Sequence, residues 1–150
     1  MEGNLGFYFG DIARLARKRF DAAARADGLT GAQWRVLMVI ARNSGINQGQ
    51  LADRLDVEPI TVCRMIDRME HSGLVERRPS PTDRRARLLF AAADADSLIA
   101  RIDAHGRRIV EAMTHNVAPE DRARLTGLLE TIRANMLDDA LFLPGGRALG

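Results

Sequence analysis

The stretch NQGQLADRLDVEPITVCRMIDRMEHSGLVERRPSPTDRRARLLF, from Asn47 to Phe90, decides how this chain folds. Its first half carries two short helical patterns. Asn47 and Gln50 have the spacing of a capping box, in which each side chain satisfies a free backbone N–H of the first turn. Leu51, Ala52 and Leu55 then mark a short helix through Asp56. Pro59 suits the first turn of a second helix, where its missing N–H costs nothing. Val62, Ile66 and Met69 share one face of that helix, with Met65 beside them. Ile60, Thr61, Arg64 and Arg68 fall on or near the opposite face. His71-Ser72-Gly73 provides the stop.

The second half changes character. Leu74 to Arg78 and Arg87 to Ala91 are short strand candidates, and Pro79-Ser80-Pro81-Thr82-Asp83 between them is turn chemistry. The pair is expected to form a hairpin with Arg84 and Arg85 at its tip. Two short helices, the second exposing Thr and Arg near its start, match a helix-turn-helix. An arginine on a hairpin tip can enter the minor groove, where the potential is most negative in narrow A·T-rich segments. The fold class expected is mainly α with a small β-hairpin wing, and the partner expected is double-stranded DNA.

Outward from this stretch the chain reads as helices. Residues 5–26 form one, with Phe9, Ile12, Ala16 and Phe20 near helical spacing and Asp27-Gly28 at its end. Thr30 and Gln33 have capping-box spacing, and Trp34, Leu37, Met38 and Ala41 form one face of the helix that follows, which ends near Asn43-Ser44-Gly45. Residues 94–116 read as a long helix with Asp94 as N-cap and Leu98, Ile102, His105 and Ile109 on one face. Pro119-Glu120-Asp121 opens the last helix, its acids suited to the positive end of the helix dipole. Leu125, Leu128, Leu129, Ile132, Met136, Leu137 and Leu141 give it a wider apolar face than a small monomer can bury. The reading is therefore one domain over 1–150. Within it, 30–92 form the winged helix-turn-helix, 5–26 and 94–142 a helical dimerisation region, and 143–150 a disordered tail.

Bulk properties bound the alternatives. The 150 residues, 46% hydrophobic and 28% charged, suit one soluble globular domain. The longest apolar run, around Val36 to Ala41, is too short to span a membrane. The N-terminus lacks a basic region before its apolar residues, so no signal peptide is expected and the cytoplasm is the expected location. The single cysteine excludes an internal disulfide and a cysteine-rich zinc site. The formal charge of +2 says little, but Arg77, Arg78, Arg84, Arg85 and Arg87 crowd one stretch opposed only by Asp83. His71, His105 and His115 are too scattered for a metal site, and no cofactor is expected. No Gly-rich phosphate loop and no nucleophile with a base is present, so an enzyme is not expected.

From Leu5 to about Leu141 the chain resembles the MarR family of bacterial transcription regulators, and within it the SlyA-like branch. The resemblance is carried by L-T-x-x-Q-W-x-V-L from Leu29 to Leu37 and L-A-D-R-L from Leu51 to Leu55. It continues in T-V-x-R-x-I-D-R-M-E from Thr61 to Glu70, G-L-V-E-R from Gly73 to Arg77 and D-R-R-A-R from Asp83 to Arg87. It implies a homodimer on a pseudo-palindromic operator, most often as a repressor, with a small aromatic or phenolic ligand as modulator. Activation or nucleoid antagonism of the SlyA type is the alternative, and a protein-interaction module without DNA binding a remote one.

The resemblance also assigns residues. Pro59 to Ser72 would be the recognition helix in the major groove. Thr61 and Arg64 match positions that contact phosphate or bases, Arg85 matches the wing arginine of the minor groove, and Arg84 would meet phosphate. Gln48, Pro59, Ile60, Cys63, Arg68 and Arg87 complete the expected DNA-binding set. Asp83 matches the aspartate that holds the wing through an arginine pair, with Arg77 as candidate partner. Phe9, Ile12, Phe20, Trp34, Leu37 and Met38 are candidates for a ligand pocket, or equally for an empty core. The chain departs from the family at Cys63, where serine is usual, near Ala92, where threonine is common, and at Ile60, where a polar residue is frequent. Two questions stay open at this point. Arg64 and Arg68 could pair with Asp67 and Glu70 instead of DNA, and Cys63 could be a redox sensor or a small helix residue.

Overall fold

The computed structural model describes residues 4–83, 85–138 and 141. Its elements run α1 (Leu5–Ala26), α2 (Gly31–Arg42), β1 (Ile46–Asn47), α3 (Gln48–Leu55), α4 (Pro59–His71), β2 (Val75–Pro79), β3 (Arg87–Ala91), a short 3₁₀ turn (Ala93–Ala95), α5 (Asp96–Met113) and α6 (Pro119–Met136). The chain divides into two compact units, one through Val110 and one from Glu111 onward. The expected tail, 143–150, lies outside the described residues.

In the first unit the core is built where the helical periodicities converge. Val36, Leu37 and Ile40 of α2, Leu51 and Ala52 of α3, and Val62, Ile66 and Met69 of α4 are all buried. From α5, Ile102 joins the same cluster, with Leu98 and Ile99 packed against it. The α1 helix gives this core only Ala24 as a fully buried residue, with Phe20 packed against the cluster. The rest of its apolar stripe, from Leu5 to Leu15, faces outward.

Both expected capping boxes form. Thr30 Oγ1 accepts from the Gln33 N–H at 3.1 Å while Gln33 Oε1 accepts from the Thr30 N–H at 2.9 Å. Asn47 Oδ1 accepts from the Gln50 N–H at 2.9 Å and Gln50 Oε1 from the Asn47 N–H at 3.1 Å. Between α3 and α4 the chain turns through Asp56, which takes a left-handed conformation at φ 51°. Aspartate tolerates that region better than most residues. After α4, Gly73 at φ 70° allows a Schellman ending. The Gly73 N–H donates to Glu70 C=O and the Leu74 N–H to Met69 C=O, aiming the chain into β2.

The sheet has three strands in the order β1-β3-β2, all antiparallel. The sequence suggests only the hairpin. Two-residue β1, Ile46 against Leu89 and Asn47 against Leu88, is too short to show any periodicity. It makes β3 the central strand, which is why Leu89 is fully buried. The first wing strand runs through Val75–Pro79 rather than ending at Arg78, with Pro79 opposite Arg87. A proline fits there because β2 is an edge strand.

The expected start of the fifth helix is corrected. Asp94 sits inside the 3₁₀ turn, whose N-cap is Ala92, and α5 begins at Asp96. The Ala92 N–H is held by Leu74 C=O at the root of the hairpin, so the chain must turn once more before a helix can begin. In the second unit, α6 opens at Pro119 with Glu120 and Asp121 in its first turn, and none of its residues is buried.

Candidate nucleic-acid interface

The residues that point to DNA gather on α4 and the wing. Burial of Val62, Ile66 and Met69 fixes the rotation of α4, so the opposite side of the helix must face solvent. Pro59, Ile60, Thr61, Arg64 and Arg68 are exposed there, and Cys63 is half-buried beside them. Ile60 is 59% exposed, a large apolar side chain at the start of the helix. Among the described residues neither Arg64 nor Arg68 has an ion-pair partner. The acids that could have engaged them are held elsewhere.

That holder is Arg77 on β2. Its Nη2 donates to Asp67 Oδ1 at 2.6 Å and its Nη1 to Glu70 Oε2 at 2.5 Å, while its backbone N–H reaches Glu70 Oε1 at 3.3 Å. Burial alone would lower the pKa of this guanidinium. The hydrogen bonds and charges of Asp67 and Glu70 outweigh that effect and raise it above its ordinary value. The expected pairing of Arg77 with Asp83 is therefore corrected: Arg77 ties the wing to the recognition helix. Two carboxylates one helical turn apart on α4 outcompete one at the far end of the hairpin.

Asp83 acts locally. Its Oδ1 accepts from the Arg85 N–H at 2.9 Å and its own N–H donates to Ser80 Oγ at 3.2 Å. This is the self-bonding turn that aspartate favours, and it presents Arg85 exposed at the wing turn. Arg87 is exposed at the start of β3. Arg84 lies outside the described residues. Arg78 donates from Nε and Nη2 to Glu76 Oε2 and lies 4.4 Å above the Phe90 ring, so it braces the hairpin.

Gln48 departs from expectation. Its side-chain nitrogen is shielded from solvent and has no partner among the described residues. It lies three and four positions before buried Leu51 and Ala52, which places it on the inner side of α3. The nitrogen of this amide is therefore turned inward.

The six pocket candidates separate into two groups. Phe20 and Trp34 stack with ring centres 4.8 Å apart, Trp34 and Leu37 are buried, and Met38 packs against the same cluster. Phe9 and Ile12 are exposed farther up α1. Trp34 Nε1 is buried without an acceptor among the described residues. A cleft of about 270 Å³ lies elsewhere, lined by Asn43, Ser44, Gly45, Ile46, Gln50 and Arg54. Among the described residues no cluster of His, Cys, Asp and Glu is arranged to hold a metal, and no helix is long and apolar enough to cross a membrane.

This arrangement of helices, three-stranded sheet and arginine-bearing wing recurs in known proteins. The MarR family model matches residues 27–86. A protein of Thauera aromatica, assigned as a transcriptional regulatory protein for the hcr operon, is 31% identical over 134 residues, covering 88% of this chain and 80% of its own. The chain belongs to the MarR family. Among solved MarR-like structures, the transcriptional regulator PA3341 superposes with a TM-score of 0.81 at 30% identity, covering 89% of this chain and 98% of its own. Apo MarR from E. coli gives a TM-score of 0.75 at 24% identity, covering 88% of this chain and 98% of its own. The SlyA regulator gives 0.79 at 20%, covering 91% and 96%. The last two show the shared winged-helix fold. As a MarR-family protein the chain is a DNA-binding transcription regulator.

Sequence reasoning missed two members of this interface, Asp67 and Glu70, as partners of the wing. Their spacing of three on one helix, ahead of the Arg77 strand, was the available signal.

Proposed function

We propose that this regulator works in the cytoplasm as a homodimer on a pseudo-palindromic operator, as a repressor released by a small aromatic or phenolic ligand. The observation that carries the DNA part is the exposed Thr61–Arg64–Arg68 face of α4, whose two arginines have no ion-pair partner among the described residues, on a helix that Arg77 ties to the wing strand. Thr61 and Arg64 contact phosphate or base edges in the major groove, with Arg68 at its margin. Pro59 and Cys63 lie along the same approach, and Ile60 packs on a thymine methyl. Arg85 enters the minor groove, and Arg84 and Arg87 meet phosphates. The wing and recognition-helix motifs favour the SlyA-like branch.

The dimer is supported by apolar side chains that one chain leaves uncovered. Leu5, Phe7, Tyr8, Ile12 and Leu15 of α1 are at least 47% exposed, and Leu125, Leu128, Leu129 and Met136 of α6 at least 42%. Patches of this kind mark interaction surfaces. Ligand control is supported by Trp34 Nε1, a buried donor without an acceptor among the described residues, which an effector carboxylate or phenolate oxygen would satisfy. Such a ligand acts only through different affinities for the DNA-competent and incompetent states.

The test is selection of bound duplexes from a random pool. A palindromic consensus with half-sites about one helical turn apart is expected, followed by release with salicylate. Recovery of no consensus together with salt-insensitive binding would remove the operator reading.

A further inference from the structure

We propose that Arg77 is a positioning residue for DNA binding whose task is to keep Asp67 away from Arg64. This rests on the DNA reading above. On an α-helix, residues three apart are neighbours, and an acid and an arginine so placed pair by default. Arg64 and Asp67 have that spacing on α4. In the folded chain they are not paired. Asp67 bonds Arg77 at 2.6 Å, and Glu70, one turn on, bonds the other arm of the same guanidinium at 2.5 Å.

The asymmetry of exposure favours this choice. The Arg77 side chain is 19% exposed, whereas Asp67 is 59% and Glu70 41% exposed. Arg77 is fixed by the strand and by two carboxylates, so its fork is already ordered. A pair between exposed Arg64 and Asp67 would have to order two long side chains in water for little gain. The clasp therefore holds both acids of α4, offsets one of their two charges and leaves Arg64 without an ion-pair partner among the described residues. Without it, Asp67 would turn to Arg64, and a phosphate approaching that face would meet an arginine already engaged and a carboxylate that repels it. Arg68 has no acid three or four residues away on α4, so the effect is specific to Arg64.

The experiment uses full-length protein and a labelled mixed-sequence duplex, with affinity followed across a range of salt concentrations. Arg77→Gln should weaken binding about tenfold and flatten the log–log salt dependence by about 0.9 for each phosphate that Arg64 no longer neutralises. Adding Asp67→Asn should restore affinity to within about threefold of the parent, while the melting temperature stays lowered because the clasp is still missing. Neutralising Asp94 instead, outside α4 and the wing, should restore nothing. Should Arg77→Gln fail to fold, Arg77→Lys with and without Asp67→Asn supplies the same comparison, since lysine keeps the charge but lacks the fork. A double variant as weak as the single one, or rescue by Asp94→Asn as well, overturns the proposal and leaves Arg77 with a stabilising role only. If the parent protein itself shows no salt-dependent binding, the DNA reading has failed instead.

Discussion

Helices α4 and α6 carry similar amounts of apolar side chain and end in opposite situations. In α4, Val62, Ile66 and Met69 vanish into the core of their own unit, and the exposed remainder is mostly polar and charged, with Ile60 the large apolar exception. In α6 no residue is buried, and Leu128 and Met136 stand 53% and 65% exposed. The unit that carries α4 folds around a core of its own, because the apolar stripe of α4 is narrow enough for one layer of neighbours to cover. The α6 surface is too wide and too uncovered for water, so a second copy is the partner that the proposed dimer supplies.

Ile66→Ala removes a fully buried side chain from α4 and should cost about 2–5 kcal/mol in chemical denaturation. A loss under about 1 kcal/mol would mean that α4 is not anchored by this core. Next, Leu128→Asp on α6 should leave the melting of the first unit nearly intact while weakening self-association by about 3 kcal/mol, the order of a charge buried without a partner. Sedimentation at several concentrations reads this, and an unchanged mass would show that α6 does not face a second copy.

A smaller effect sharpens the α4 side. Arg64→Ala should weaken operator binding by about 1–3 kcal/mol and relax preference at one base position if the arginine reads guanine. Equal weakening on all duplexes would assign it to phosphate. Smallest is Asn47→Ala, which removes the side-chain acceptor of the capping box ahead of α3 and should lower stability by about 1 kcal/mol. The same substitution at Thr30 gives the matching value for α2, and a large gap between them would show that one cap also carries tertiary contacts.

Much of this was legible because it is written in short-range chemistry. The bounds of α1, the two capping boxes, Pro59 at the head of α4 and the Gly73 stop depend on residues within one turn of each other. The outward-facing positions of α4 followed from the same periodicity, since burial of Val62, Ile66 and Met69 leaves only one side for Thr61 and Arg64. Strand β1 escaped because two residues hold no period. The inward turn of Gln48 escaped because a polar residue at a helix start carries no mark of its own burial.

Two contacts between distant segments mark the limit. Asp27, at the end of α1, receives Arg101 Nε at 3.1 Å on one oxygen, and its other oxygen lies 3.2 Å from His105 Nδ1. That second contact is an ion pair only when the imidazole is protonated, and the two facing atoms have no other partner among the described residues. The sequence could place His105 only on an apolar face of its helix. Likewise it offered Asp83 for Arg77 and placed Asp67 and Glu70 with Arg64 and Arg68, and only the packing of β2 along α4 joined both acids to Arg77. Local chemistry placed helices α1 to α4 and the outward face of α4, because hydrophobic period and capping act within a few residues; the bounds of α5, expected over 94–116 and found at Asp96–Met113, needed the fold. Tertiary structure decided which charges of separate segments meet. An ion pair depends on distances between segments, and those are set by how the core closes.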